Sequence, residues 1–385
     1  MSELNSKPDV VVIGAGIVGA ACAAELAACG LTVTIVERHV VGGGATAAGM
    51  GHLVVMDDNP AELALTRYSL ELWREFAADR QQQNEFSPCG TLWVAADAEE
   101  MTAATAKQAT LAAHGIGCEL LDAADLYRVE PQLRAGLAGG LRVPGDAIVY
   151  PPKSAALLLA QAQQRGAQLL IDDVLAIDAQ GVTLATGGRI DAGLVLVANG
   201  VACAQLLPEL PIRPKKGHVV ITERYPDFIR HQLVELGYIK SAHASSGDSV
   251  AFNLQPRPTG QLLIGSSRQF DSTDKAIDIA LLARMLAHAV QFVPQLAQLK
   301  ALRCWTGFRA ASPDGLPLIG PHPGLQPNRS NIWLATGHEG LGITTALATA
   351  KLLAAQITGQ AAAIDIAPYL PARFPVILKT AANDA

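Results

Sequence analysis

Charge is scarce in this chain, and so are aromatic rings. Only 17% of its 385 residues are Asp, Glu, Lys or Arg and 5% are Phe, Trp or Tyr, whereas 50% are apolar; 29 basic residues against 35 acidic ones leave a formal charge of -6. Neutralising a phosphate backbone takes a clustered excess of Lys and Arg, and no such stripe runs through the sequence, so no nucleic-acid partner is expected. The same apolar balance excludes a disordered chain. Six cysteines, at positions 22, 29, 89, 118, 203 and 304, form no CxxC pair and no Cys/His cluster at metal-ligand spacing. A disulfide framework, a structural zinc and a cysteine-held iron–sulfur cluster are all without support, and no metal is expected. Cys22 and Cys29, on one helix face, and Cys304 beside Trp305 read as packing residues. The opening MSELNSKPD lacks the basic and then apolar regions of a secretory signal, and the expected compartment is the cytoplasm.

One run, VVVIGAGIVGAACAAELAAC at 10–29, has transmembrane length. Its spaced glycines, its internal Glu25 and the second apolar strand that follows favour another reading, so no transmembrane segment is expected. DVVVI is the continuous β-branched run of a parallel strand buried on both faces. A glycine-rich turn, an Ala-rich helix closed by Gly30 and the strand TVTIVE complete a βαβ unit.

Further on, helical spacing marks 60–80, 98–114, 152–165, 276–291 and the stretch GITTALATAKLLAAQITG, while TLWVAA, AQLLID, VTLAT, GLVLVANG, HVVITE, GQLLIGSS and NIWLATG read as strands. The chain exceeds what one core usually supports. It divides into two interleaved lobes: a nucleotide-binding lobe from 1–85, 151–212 and 313–385, and a second lobe from 86–150 and 213–312.

Gly14-Ala15-Gly16-Ile17-Val18-Gly19 satisfies the GxGxxG fingerprint in its full context, with a strand before it, a helix opening from it and Glu37 at the tip of the next strand. Gly14 permits the tight turn, Gly16 lets a pyrophosphate approach the backbone, and Gly19 lets helix and strand pack closely. The helix N-terminus offers N–H groups and a partial positive charge to phosphates. Glu37 is placed to accept from ribose hydroxyls. The fingerprint alone leaves NAD and FAD open. A second glycine-rich helix entrance, with Gly337, Gly340 and Gly342 ahead of a helix near Ile343, suits the far end of a long cofactor. Were that end an isoalloxazine, the helix pole would stabilise the anionic reduced ring.

Together with these pieces, ATAAGMG (45–51), LVLVANG, GQLLIGSS, WTGFRAASPDG and GHEGLGITTALATAKLLA make the chain resemble the FAD-dependent D-amino-acid oxidase and glycine oxidase superfamily over nearly its whole length. The resemblance implies an α/β fold: a Rossmann-like FAD-binding domain of the glutathione-reductase type, interleaved with an α+β substrate domain carrying a mainly antiparallel sheet. It implies non-covalent FAD, with Gly14, Gly16, Ile17, Val18, Glu37 and Arg38 at the adenosine and pyrophosphate end. Ala45, Thr46, Ala47, Gly49, Met50 and Gly51 would follow the cofactor between the lobes, with Val174, Ala198, Asn199 and Gly200 beside it. Gly337, His338, Gly340, Leu341, Gly342, Ile343 and Thr344 would meet the ring.

Arg309 occupies the position of the family's substrate-carboxylate arginine, although Ala310 stands where a proline is usual. The implied chemistry is hydride transfer from substrate Cα to flavin N5, giving an imine. His52 and Glu339 would lie near the ring, either to deprotonate the amine, to bind a substrate hydroxyl, or simply to stabilise their loops. Phe252 and Asn253 stand where a glycine-oxidase-like tyrosine is usual, which suggests a different, cyclic or secondary, amine. His218 reads as structural.

GHEGLGIT and LLIGSSRQF look most like the β subunits of heteromeric dehydrogenases of the D-hydroxyproline dehydrogenase, opine oxidase and hydrogen cyanide synthase type. The expected activity is therefore dehydrogenation of a D- or secondary amino acid, with cis-4-hydroxy-D-proline as the leading substrate. Electrons would pass to partners, a second flavin subunit and an iron–sulfur subunit. A stand-alone glycine, sarcosine or D-amino-acid oxidase making hydrogen peroxide, and a non-catalytic FAD-binding subunit, are the alternatives.

Overall fold

The computed structural model describes residues 7–178, 180–237, 247–270, 272–324 and 331–374. The polar opening MSELNS and the stretch 375–385 of the last expected segment lie outside the described residues.

The run that could have crossed a membrane is instead a strand, Val10–Ile13, and a helix, Ile17–Ala28, both almost wholly buried. Among the described residues no helix is long and apolar enough to span a membrane. Val10–Ile13 lies near the centre of a six-stranded sheet, in the order Leu318–Pro321, Ile332–Thr336, Leu194–Val197, Val10–Ile13, Val33–Glu37, Gln168–Ile171. Its pairings are parallel except the outermost, between Leu318–Pro321 and Ile332–Thr336. Strands buried on both faces have no polar side to present, which is why VVVI and LVLV read as unbroken apolar runs. The Ala-rich Ile17–Ala28 helix covers one face, packed between the helices Pro151–Gln164 and Gly342–Thr358. Small side chains permit that close approach.

An eight-stranded sheet takes its strands from other parts of the chain: Ala301–Ala311, Arg213–Arg224, Gln261–Phe270, Ser249–Pro256, Gln232–Glu235, Thr91–Ala95, Gly139–Val143 and Glu119–Asp122, in that order. All its pairings are antiparallel except Gln232–Glu235 with Thr91–Ala95. One face carries the helix Ile279–Phe292, with Phe252 stacked on Phe292 at 4.5 Å. The other face turns toward the first sheet, with Met50, Val219 and Leu263 packed at the seam.

Cys22 is fully buried, as a packing residue should be, and Cys304 is partly buried against the core. Cys29 is a correction: it is exposed, because the helix ends at Ala28 and the chain turns outward at its cap. Among the described residues no group of His, Cys, Asp and Glu could hold a metal ion.

Candidate active site

An extended cavity runs along the carboxyl ends of the parallel strands and under the antiparallel sheet, from Glu37 to Arg309. At its first end the glycines are dictated by contact. Gly14 has φ 98°, and a Cβ there would lie 2.9 Å from Asn199 Cα; one on Gly19 would lie 2.0 Å from the Gly14 carbonyl oxygen. Glu37 already accepts from the Ala15 N–H at 2.8 Å and the His39 N–H at 3.0 Å, so its carboxylate shapes the turn while facing the cavity. Thr46 accepts from the Ile17 N–H at 2.9 Å, fastening the loop after the second strand to the helix entrance. Val18, Arg38, Val174, Ala198, Asn199 and Gly200 complete the expected wall, and the Asn199 Oδ1 is buried without a hydrogen-bond partner among the described residues. Asp172 and Asp173 also line it, beyond what the motifs indicated. Their signal was adjacency: they follow the strand Gln168–Ile171, and the Asp172 N–H donates to the Glu37 carbonyl at 3.0 Å.

The segment Ala45–Gly51 threads between the two sheets with little room for side chains. A Cβ on Gly49 would lie 2.7 Å from Ile343 Cδ1, and one on Gly51, where φ is 106°, 2.1 Å from the Val149 carbonyl oxygen. From the sheet side, a Cβ on Gly307 would lie 2.3 Å from Ala48 Cβ. The Trp305 Nε1–H donates to the Ala48 carbonyl at 3.2 Å, and the Gln255 amide to the Met50 carbonyl at 2.7 Å.

At the far end, Gly337, His338, Glu339, Gly340, Gly342 and Ile343 border the cavity at the mouth of the Gly342–Thr358 helix. Three expected contact residues do not. Ala47 and Leu341 are off the wall. Thr344 is buried, and its hydroxyl donates to the His52 carbonyl at 2.9 Å, fixing the strand that carries His52. The His338 ring also serves the scaffold. It is turned inward, 3.0 Å from the Thr349 hydroxyl, and burial pushes its pKa down to about 4.

His52 is on the wall, and its Nε2 is buried with no hydrogen-bond partner among the described residues. Burial lowers its pKa to about 4, so the imidazole is neutral at physiological pH. Arg309 is on the wall too, with Nη1 donating to the Ser267 carbonyl at 3.2 Å. Glu339, at φ 49°, pairs with Lys215 at 2.9 Å. Of the two residues at the tyrosine position, only Asn253 reaches the cavity, with its Oδ1 buried and unpaired among the described residues, whereas Phe252 belongs to the core. His218 borders the cavity, but its ring is committed: Nδ1 lies 2.8 Å from the Ser267 hydroxyl, and Nε2 accepts from the Asp278 N–H at 3.1 Å.

A backbone cradle that any Cβ would fill, two helix entrances, and lining residues that carry three buried polar atoms without partners among the described residues fit a flavin dinucleotide and a small polar substrate together. The family model described as FAD dependent oxidoreductase matches residues 9–356. Glycine oxidase of Pseudomonas aeruginosa is 31% identical over 380 residues, covering 94% of this chain and 98% of that protein. Hydrogen cyanide synthase subunit HcnC of the same organism is 28% identical over 423 residues, covering 96% and 97%. The crystal structure of glycine oxidase from Geobacillus kaustophilus has a TM-score of 0.84 at 26% identity, over 96% of this chain and all of that one (100%). L-proline dehydrogenase from P. horikoshii reaches 0.86 at 24% identity, over 97% and 99%, a likeness of fold.

Proposed function

This chain belongs to the FAD dependent oxidoreductase family, and on that premise we propose that it is a stand-alone oxidase of glycine or a comparably small amino acid, N-methylated or D-configured ones included, that releases hydrogen peroxide. Its cofactor is FAD and its reaction is oxidation at a CH–NH or CH–NH2 group. The supporting observation is Arg309, a guanidinium on the cavity wall of a chain that is similar to glycine oxidases over 94% and 96% of its length.

Bound FAD supplies the two-electron acceptor for the hydride that leaves the substrate Cα. The rest falls to the protein. The planar fork of Arg309 takes the substrate carboxylate through paired N–H donors and so fixes where the Cα–H points. Burial disfavours the charged imidazole of His52, so that neutral ring is a polar neighbour of the substrate rather than its base, and the substrate ammonium gives its proton to water before its nitrogen forms the imine. Met50, Val219, Leu263 and the partly buried Trp305 keep the seam dry. The two electrons and two protons removed from the amine leave as hydrogen peroxide when dioxygen is the final acceptor, and water hydrolyses the imine. No covalent attachment of the flavin is proposed.

A second reading has its own support. HcnC is by name a subunit, and it matches 96% of this chain. In that case the electrons pass to partner chains, a second flavin subunit and an iron–sulfur subunit, and dioxygen is a poor acceptor. The proteins compared above carry no hydroxyproline in their names, so cis-4-hydroxy-D-proline enters as one compound of a panel. That panel comprises glycine, sarcosine, D-alanine, D-proline and cis-4-hydroxy-D-proline, offered to the purified yellow protein in air with peroxide detection and without oxygen with a redox dye. Turnover in air with one peroxide per substrate supports the oxidase. Turnover with dye alone transfers the assignment to the dehydrogenase.

A further inference from the structure

Lys215 and Arg309 are partners in register on the paired strands Arg213–Arg224 and Ala301–Ala311. Two cations at facing positions repel, and such a pair is destabilising unless something separates the charges. Here an acid from a third element does so. Glu339 Oε1 lies 2.9 Å from Lys215 Nζ. Burial works to raise the Glu339 carboxyl, but the charges of Arg309, Lys215 and Arg268 outweigh it and hold the group below its ordinary range, as a carboxylate.

The placement of Glu339 is constrained. Its backbone is left-handed, φ 49°, an uncommon conformation for a residue with a Cβ, and its N–H donates to the Ala310 carbonyl at 2.9 Å, next to Arg309. Its other oxygen takes the N–H of Gly340, and a Cβ on Gly340 would lie 3.8 Å from Arg309 Nε. Lys215 is steadied in turn by the Phe270 ring, 5.1 Å away. The backbone of Glu339 is thus bonded one residue from Arg309, whose charge acts on its carboxylate, and to that guanidinium this acid and the substrate's are chemically alike.

From this arrangement we infer that Lys215 is a positioning residue: by holding Glu339 it keeps that acid from closing on Arg309, so that the guanidinium stays open to the substrate's carboxylate. The inference rests on Arg309 as the carboxylate anchor. Lys215 then sets affinity for the acid group without touching it, and Glu339 is an internal rival rather than a second anchor.

Acetate separates these roles because it has a carboxylate and no oxidisable amine. Its dissociation constant is read from the shift it causes in the flavin spectrum of the FAD-loaded protein, so no turnover is needed. Lys215→Met is expected to weaken acetate binding about tenfold, roughly the loss of 1.4 kcal/mol, as Glu339 turns to Arg309. Adding Glu339→Gln in the same chain should restore affinity to within about twofold, since the rival is gone, and Lys215→Arg should bind as the parent does. Glu339→Gln alone should bind acetate as tightly as the parent or more so. A Lys215→Met defect that persists in the double variant, or weaker binding by Glu339→Gln alone, overturns the inference. If acetate behaves as expected but no amine in the panel is oxidised, the oxidase reading fails and the positioning role stands.

Discussion

The guanidinium of Arg309 lies flat against the backbone of Gly217: a Cβ built on that glycine would meet Nη1 at 2.9 Å, Nη2 at 3.0 Å and Cζ at 3.1 Å. Gly217 needs no side chain for the fold and pairs normally with Gly307 across the two strands. Its lack of one sets the height at which the arginine rests. The neighbour that a methyl would displace is the mobile end of a long side chain, so the strand can accept Gly217→Ala while the anchor moves by a few tenths of an ångström. We expect KM for the amino acid to rise roughly tenfold, because misplacing an orienting group is costly. Unfolding stability should stay within about 1 kcal/mol of the parent, as for most substitutions without a core defect. An unchanged KM would mean that the guanidinium does not bind substrate where it now lies.

Removing the guanidinium altogether should be far more severe. Two charge-assisted hydrogen bonds at about 1.5–3 kcal/mol each make Arg309→Ala a loss on the order of a thousandfold in kcat/KM. Arg309→Lys should recover only part of it, because an ammonium cannot reproduce the fork. FAD content is the control. Should Arg309→Ala turn over a carboxylate-bearing amine like the parent, Arg309 would not be the anchor; a parent that holds FAD and oxidises no amine of the panel would instead be a FAD-binding subunit without its own substrate.

Gly14 and Gly16 differ in what a methyl would strike. On Gly14 it meets backbone at 2.9–3.0 Å and sits at φ 98°, whereas on Gly16 it meets only the Thr46 hydroxyl at 3.4 Å. Gly16→Ala should therefore leave the melting temperature of the FAD-free protein unchanged while weakening FAD binding, seen as a lower flavin-to-protein absorbance ratio. Gly14→Ala should lower both. The second effect of lost FAD is a lost ligand contribution to stability, about 2.7 kcal/mol when FAD stands at a hundred times its dissociation constant.

Asp146 gives a pH signature away from the cavity. Burial raises its carboxyl from 3.8 to about 7, although its Oδ1 accepts from the Val55 N–H at 3.1 Å. The unfolded chain loses this proton near its ordinary pKa and the folded chain only near 7. Between those values the folded state binds more protons, so Asp146 contributes stability at low pH that is lost as pH rises through about 7. Asp146→Asn keeps an acceptor for Val55 and carries no ionisation. Denaturant midpoints should show the variant gaining on the parent from pH 5 to pH 8; a parallel pair of curves would contradict the assignment.

Much of this was legible in the residues, for identifiable reasons. Gly14, Gly19 and Glu37 are recognisable because a positive φ, a close crossing and an acid at a strand tip are local demands that local sequence must meet. The placing of Arg309 came from a longer motif. What stayed hidden was long-range pairing. Nothing around Lys215 announces that Glu339, 124 positions away, will receive it, and Thr344 looks like a ring contact until its hydroxyl is seen on the His52 carbonyl. His338 and His52 both line the cavity beside glycine turns, yet one ring nitrogen meets the Thr349 hydroxyl and the other is buried with no partner among the described residues. Side-chain direction at such places is settled by what packs behind them.

The two sheets are held apart by a peptide. Ala45–Gly51 is pressed by Gly307 and Trp305 on one side and by Ile343 and Val149 on others, main chain against neighbour at Gly49 and Gly51, while the Met50 side chain packs with Val219 and Leu263. Main-chain thickness does not vary with sequence, so the width of the gap behaves as a fixed dimension of the fold. Descendants of this chain could exchange the side chains that line the gap, Asn253, His52 or Glu339, and so acquire new substrates, while the spacing between the two sheets passes unchanged from one to the next.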